Sequence, residues 1–192
     1  MKRTTALAAA TLILAAPAFV PAASAQGGHM AATVMVGGQA MYPGKTIVAN
    51  AVNSADHTTL VSAVKAAGLV DTLNGKGPFT VFAPTNEAFA ALPAGTVETL
   101  VKPENKAALT KILTYHVVAG DYPASRLRAL IRAGHGEAML PTVEGEKLTF
   151  TMNGPDNVVV RDAKGDVADI STYDVKQSNG VIHVIDKVLL PG

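Results

Sequence analysis

The sequence predicts an α+β fold, in which helices are gathered early along the chain and antiparallel strands are gathered late. Apolar residues recur at helical spacing in the first half of the chain, whereas they alternate with polar residues in the second half. The chain closes on a run at residues 181–190 that is apolar on both faces. Such a run is typical of a central strand, which is buried on both sides of its sheet.

The first predicted helices lie between residues 47 and 73. After a short amphipathic segment that starts at Ile47, Asp56 is the expected N-cap of a longer helix, and Gly68 is its expected end. The buried side of that helix is predicted to consist of Leu60, Val61, Val64 and Ala67. Residues 69–73 add one further turn, and the glycine-rich residues 74–78 form a loop.

A strand is predicted next, at residues 79–82, where β-prone side chains alternate and Pro84 follows. Thr85 is the expected N-cap of a short helix. A longer helix over residues 104–114 is predicted to bury one stripe, made of Ala108, Leu109, Ile112 and Leu113. One more helix is expected at residues 125–133, packed on the strands that follow.

The remaining strands are predicted from alternation and from turn residues. Residues 147–152 alternate between polar and apolar side chains, as in a half-buried strand, and a turn follows at 153–156. A second strand is expected at 158–160. Residues 164–166 read Lys-Gly-Asp, a sequence that resembles an integrin-type tripeptide, but its position between two strands indicates a hairpin turn.

The N-terminus has the features of a secretory signal peptide. Lys2 and Arg3 precede an apolar, alanine-rich run at residues 6–20, and a small-residue cleavage site follows at 23–25. We therefore expect residues 1–25 to be removed, residues 26–44 to form a flexible lead-in whose later part docks on the domain, and residues 45–191 to form one domain. The mature protein is expected to be secreted or periplasmic, with no transmembrane segment.

Composition excludes several classes of function. Without Lys2 and Arg3 the formal net charge falls from +1 to −1, which gives no electrostatic basis for binding nucleic acid. The chain has no cysteine, so disulfides, thiolate metal sites and cysteine catalysis are absent. His116 and His183 lack an acidic third ligand, and no cofactor motif occurs. We expect neither a metal nor a cofactor.

Three segments in order resemble the signature of the fasciclin domain. The first is Gly77-Pro78-Phe79-Thr80-Val81-Phe82-Ala83-Pro84-Thr85-Asn86-Glu87-Ala88-Phe89, the second is Tyr115-His116-Val117-Val118, and the third is Asn179-Gly180-Val181-Ile182-His183-Val184-Ile185-Asp186-Lys187-Val188-Leu189-Leu190-Pro191. The resemblance covers residues 45–191 and implies a wedge of two β-sheets with helices packed on one side. It also implies an exported protein that mediates cell adhesion or attachment to a matrix or surface, through protein or glycan contacts.

The resemblance further implies four contact residues. An Asp-Ile pair before the closing strand is linked to integrin binding in animal members, and the matching residues here are Asp174 and Val175, with Val in place of Ile. The Tyr-His pair linked to adhesion is Tyr115 and His116. We expect the polar stretch at residues 171–179 to be a loop that carries recognition. Two of the four residues also have a structural interpretation: His116 as a buried ring bonded to the backbone, and Asp174 as a cap of the turn into the closing strand.

The sequence is also compatible with two other functions. A wedge of sheets under helices, in a chain that is 48% hydrophobic, could carry a small apolar ligand such as a lipid or a carotenoid. An unrecognised hydrolase is the third hypothesis, although the sequence has no nucleophile elbow, no zinc-protease motif and no phosphate-binding loop. We expect that the protein is not an enzyme.

Overall fold

The computed structural model of the protein describes residues 33–192, so the predicted signal peptide and residues 26–32 lie outside the described part. The helices there are α1 (Ile47–Ala51), α2 (Thr58–Ala67), α3 (Val70–Leu73), α4 (Asn86–Ala90), α5 (Thr96–Leu100), α6 (Lys106–Tyr115) and α7 (Ala124–Ala133). The strands are β1 (Val34–Val36), β2 (Gln39–Met41), β3 (Phe79–Pro84), β4 (Val117–Ala119), β5 (Glu137–Pro141), β6 (Lys147–Met152), β7 (Val158–Arg161), β8 (Val167–Gln177) and β9 (Gly180–Ile185).

The closing strand β9 is central, as the sequence predicts. It lies between β3, to which it is parallel, and β8, to which it is antiparallel, in a seven-stranded sheet of order β4-β3-β9-β8-β7-β6-β5. It ends at Ile185 rather than at residue 190 because the following backbone bonds to side chains instead of to a strand. The N–H of Leu189 donates to His116 Nε2 at 2.9 Å, and that of Leu190 donates to Asp162 Oδ2 at 2.9 Å.

The long strand β8 divides this sheet into two. Its first residues pair with β7, and after two irregularities between Ile170 and Val175 it continues along β9. Such bulges bend a strand, so the two parts of the sheet face each other. Their outer strands meet where Val118 pairs with Thr142 and the Val143 N–H donates to the Val117 carbonyl at 2.7 Å. The result is the predicted α+β fold with a wedge of two β-sheets.

Two apolar cores lie on opposite faces of β3 and β9. The first packs the sheet against α1–α6 and includes Ala63, Val64, Val81, Leu109, Leu113, Val175 and Ile182. The second fills the wedge and includes Phe82, Tyr115, Leu127, Ile131, Phe150, Val160 and Ile185. Six helices thus lie on one side, as predicted, whereas α7 closes the wedge on the other side through Leu127 and Ile131.

Several predicted helix ends are confirmed and one is wrong. Gly68 ends α2 in the left-handed region at φ 74°, and the Thr85 hydroxyl accepts the Ala88 N–H at 3.2 Å. Asp56 is not the N-cap of α2, since it lies in a 3₁₀ turn before that helix. Asn86 has that role instead, because its Oδ1 accepts the Thr59 N–H at 3.0 Å.

Other differences concern elements with weak local patterns. The prediction that Ala108 is buried is wrong, because α6 turns it to solvent while Leu109 and Leu113 are covered. The sequence did not predict α5, β5, β8 or the β1–β2 hairpin. The hairpin belongs to the lead-in, and it docks on the first core through Val36 and Met41, which are 9% and 3% exposed.

Candidate functional site

A polar groove of about 930 Å³ lies at one end of the sheet. It forms where β3 and β9 begin, where β8 ends and where α7 begins. Four charged residues line it, two of each sign: Lys76, Asp121, Asp174 and Lys176. Lys76, Asp121 and Lys176 are exposed, and Asp174 is half-buried. The groove therefore offers charges of both signs on one concave surface.

Close backbone contact between the first and third signature segments makes one wall of the groove. Although they are about a hundred residues apart in the chain, they form the adjacent parallel strands β3 and β9. A Cβ on Gly180 would lie 1.9 Å from the Phe79 carbonyl oxygen, and one on Gly77 would lie 2.0 Å from that of Asn179. Only glycine fits at either position, so the motif glycines are needed for the close approach of the two strands.

Asn179 holds the groove's frame together through its side-chain amide. Its Oδ1 accepts the Ile47 N–H at 3.0 Å, at the start of α1. Its Nδ2 donates to the carbonyls of Leu73 at 2.7 Å and Gly75 at 3.1 Å, at the end of α3. One side chain thus satisfies three backbone groups from two helix ends, which fixes these segments relative to β9.

Asp174 caps α7 from a distant strand. The residue before that helix is Pro123, which has no side chain to accept a hydrogen bond, and Asp174 Oδ1 accepts the Ala124 N–H at 2.7 Å instead. Asp174 has a φ of 56°, a left-handed backbone that aspartate tolerates better than most residues. Its backbone N–H points to His183 Nδ1 at 3.4 Å. The carboxylate is therefore held at the groove by its role as a cap.

Val175 points away from the groove. It is 1% exposed and belongs to the first apolar core. The expectation that residues 171–179 form a recognition loop is wrong, because residues up to Gln177 belong to β8. Neighbouring side chains of a strand point to opposite faces, so Asp174 and Val175 do not form one contact surface.

Tyr115 lies in the second core and is fully buried. Its hydroxyl donates to the Lys147 carbonyl at 3.3 Å and accepts the Ala163 N–H at 2.9 Å. Burial raises the pKa of Tyr115 to about 12, so the phenol stays neutral and can keep both bonds. The ring anchors the β7–β8 turn, whose Gly165 has a φ of 90°, and this confirms the hairpin predicted at Lys164-Gly165-Asp166.

His116 joins three parts of the chain while it is only 2% exposed. Its Nδ1–H donates to the Ile112 carbonyl at 2.8 Å, and its Nε2 accepts the Leu189 N–H at 2.9 Å. Burial lowers the pKa of His116 to about 4, so the neutral tautomer that this pattern requires is present at pH 7. This is the backbone-bonded ring of the structural interpretation. A partner can reach Tyr115 or His116 only if the covering segments move.

His183 is likewise a core histidine. It is fully buried, its Nε2–H donates to the Tyr122 carbonyl at 2.9 Å, and its ring stacks on Phe82 with centroids 5.6 Å apart. Burial lowers its pKa. Since both ring nitrogens face the backbone, His183 supports the groove from behind and is not available to a ligand in it.

The groove's other charged residues were missed by sequence reasoning. Lys76 follows α3, Asp121 follows β4, and Lys176 lies near the end of β8. No short motif contains them, and only the pairing of β9 with β3 and β8 brings their segments together. In residues 33–192 no group of three His, Asp or Glu side chains could hold a metal ion. No helix in that range is long and apolar enough to cross a membrane.

Comparison with known proteins identifies the class of protein. The fasciclin domain family profile matches residues 55–191, and the chain belongs to this family. Protein sll1483 of Synechocystis sp. is 53% identical over 148 residues, which cover 76% of this chain and 73% of the relative. Immunogenic protein MPB70 of Mycobacterium bovis is 36% identical over 144 residues, which cover 72% of this chain and 65% of the relative.

Two further matches are to longer chains, of which this chain covers about half or less. The transforming growth factor-beta-induced protein ig-h3 of Sus scrofa is 40% identical over 132 residues, which cover 69% of this chain but 17% of the relative. A solved FAS1 domain pair from the insect cell adhesion molecule Fasciclin I matches with a TM-score of 0.68 at 21% identity, over 76% of this chain and 51% of that chain. At that identity the likeness concerns the fold alone.

Proposed function

We propose that the protein is exported and attaches to a protein or glycan of a cell surface or matrix through the polar groove. The observation that carries the proposal is the groove itself, a concave surface with two acidic and two basic side chains on a braced frame. Exposed groups presented by a rigid scaffold are the usual form of a recognition site. Named relatives, a cell surface glycolipoprotein of Mycobacterium bovis among them, support a role outside the cytoplasm.

The charge pattern favours a partner that itself carries polar groups of both kinds. Two lysines and two aspartates around one groove can orient a peptide or a charged glycan, and they discriminate against a uniformly anionic partner such as nucleic acid. Asp174 contributes through its second carboxylate oxygen, since Oδ1 is bonded to α7. Of the four contact residues implied by the resemblance, we keep Asp174 as a direct contact and give Tyr115, His116 and Val175 supporting roles.

We further propose that the protein works by binding and not by catalysis. A serine–histidine pair does occur, with Ser54 Oγ and His57 Nδ1 2.8 Å apart. Such a pair is the nucleophile and base that a hydrolase would need. Both side chains are buried, at 2% and 3% exposed, so no substrate has access to them. The groove lining includes Ser125 and Ser178 but no histidine to activate them.

Charge reversal in the groove tests this proposal. Lys176→Glu and Asp121→Lys change exposed side chains for which no hydrogen bond or ion pair occurs within residues 33–192, so both variants are expected to unfold at the same denaturant concentration as the parent. Retention on envelope or matrix material from the native host is expected to fall about tenfold in each. Lys164→Glu, on the β7–β8 turn, is the matched control and is expected to bind like the parent. Equal retention of all three variants would contradict the proposal.

Export has its own test. The apolar run and the small residues at 23–25 predict cleavage before Gln26. N-terminal sequencing of the protein recovered outside the cytoplasm is expected to start at that residue. Uncleaved protein that is retained in a membrane would contradict export as a free protein.

A further inference from the structure

A second cavity lies under the helices. It is on the opposite side of β3 from the second apolar core, the wedge core, which fills the space between the two parts of the sheet. It has a volume of about 230 Å³ and is enclosed by α1, α2, α3 and α6 above the strands β3 and β9. Seventeen residues line it, and Lys65 and His116 alone among them have polar side chains. Both ring nitrogens of His116 are already bonded to the backbone. The interior of the cavity is therefore apolar throughout.

The cavity opens between α1 and α2. Val52 is 47% exposed, Val48 and Val61 are half-buried, and Lys65 is exposed in the last turn of α2. Deeper lining residues such as Leu113 and Val64 are buried. An apolar interior with a single charge at its mouth matches a molecule with an apolar chain and one anionic end.

The size of the cavity sets the length of that chain. An apolar protein cavity of about 150 Å³ holds benzene, which has six carbons. By the same ratio, a cavity of about 230 Å³ holds about nine carbons. A carotenoid is several times larger than this space, so the cavity favours a short lipid-type ligand over a pigment.

We propose that this cavity binds a small straight-chain carboxylic acid of about eight to ten carbons, with its chain between α1 and α2 and its carboxylate at Lys65. The site is separate from the polar groove, and the proposal does not depend on attachment. The apolar chain supplies most of the affinity, because each buried methylene strengthens binding about fourfold. The ammonium of Lys65 is exposed to water, so its contribution is at most about fivefold.

Calorimetric titration with acids of increasing length tests the size argument. From hexanoate to octanoate the dissociation constant is expected to fall about sixteenfold, since two more methylenes are buried. The increase in affinity with chain length is expected to stop between decanoate and dodecanoate, because the longer chain no longer fits in the cavity. Failure of octanoate and decanoate to bind, or a gain that continues through dodecanoate, would overturn the proposal.

Three variants locate the site. Val61→Phe narrows the mouth and is expected to weaken octanoate binding at least tenfold, whereas Val101→Phe, on an exposed valine outside the cavity, is expected to leave it unchanged. Lys65→Gln is expected to weaken octanoate up to fivefold without affecting 1-octanol. Octanoate binding that survives Val61→Phe unchanged would overturn the location, and equal effects of Lys65→Gln on acid and alcohol would overturn the role of the charge.

NMR of the parent protein gives a readout that needs no variant to fold. On addition of octanoate, methyl resonances of Val64, Leu113 and Val117 are expected to shift, because these side chains line the cavity. The methyl resonances of Leu127 and Ile131, which lie in the wedge core, are expected not to shift. Shifts confined to the wedge core would overturn the proposed site.

Discussion

Replacement of His116 by alanine is expected to destabilise the protein strongly. The change removes two buried partners at once, the donor to the Ile112 carbonyl and the acceptor of the Leu189 N–H. Each backbone group left unpaired in the interior costs about 1–3 kcal/mol, so we expect the two together to lower the free energy of unfolding by about 2–6 kcal/mol. That is a large part of the stability of a domain of this size, which is typically about 5–15 kcal/mol.

Two conservative variants separate the two bonds. An Asn side-chain amide reaches the position of Nδ1 and can still donate to the Ile112 carbonyl, whereas a Gln side chain reaches the position of Nε2 and can still accept from Leu189. His116→Asn and His116→Gln are therefore each expected to cost about half as much as His116→Ala. His116→Phe keeps the ring's bulk but neither bond, and it is expected to resemble alanine.

Urea or guanidinium unfolding curves of the four variants measure these differences. The reasoning would be refuted by an alanine variant whose midpoint matches the parent. Loss of attachment by His116→Ala at unchanged stability would show that the ring acts as a contact in an opened form of the domain. We expect instead that the folded molecules of His116→Ala attach as well as the parent protein does.

Three further predictions concern acid stability and the frame of the groove. Because burial holds the folded-state pKa of His116 near 4 against 6.5 when unfolded, the unfolded state binds more protons between these values. About 3 kcal/mol of stability, fully present above pH 6.5, is expected to be lost as the pH falls to 4, and unfolding curves of His116→Gln across this range should depend less on pH. Asp174→Ala should cost about 1 kcal/mol in a thermal or denaturant melt, the usual value of a helix cap, and Asp174→Gly should cost less because glycine suits its φ of 56°. Asn179→Ala should cost about 2–4 kcal/mol in the same melt, since three hydrogen bonds to backbone groups are lost, and an unchanged melt would show that Asn179 does not brace the groove.

The sequence predicted well those features that depend on neighbours in the chain. Gly68 ends α2 because a left-handed residue is needed there, and Thr85 caps α4 through a bond to a residue three positions later. The alternation at residues 147–152 corresponds to β6. Each of these signals is contained within a few residues, so periodicity and cap chemistry are sufficient to find it.

Features that depend on distant partners could not be predicted in this way. Aspartate is a residue type favoured at N-caps, so Asp56 was the local candidate. The group that caps α2 is instead the side-chain amide of Asn86, nearly thirty residues after Thr59. Strand β8 was mistaken for a polar loop because its bulges interrupt the alternation that identifies a strand. Asp174 owes its role to Ala124, fifty residues earlier in the chain.

The candidate site likewise contains residues that could be predicted from the sequence and residues that could not. The resemblance correctly indicated the family, and it drew attention to Asp174, which does border the groove. The lysines and Asp121 could not be recognised, since their segments converge only when β9 inserts between β3 and β8. Burial of Val175 was likewise a property of the assembled cores, whereas burial of His116 agrees with the structural interpretation of its position after the α6 stripe.

Hydrogen–deuterium exchange of the protein, free and attached to envelope or matrix material from its host, tests the central claim most directly. If the polar groove is the attachment surface, attachment is expected to slow exchange in residues 74–78 and 121–125 and around Lys176, which border the groove. The β7–β8 turn at residues 162–166 lies outside the groove and is expected to exchange equally in both states. Protection of that turn, with no change around the groove, would contradict the account.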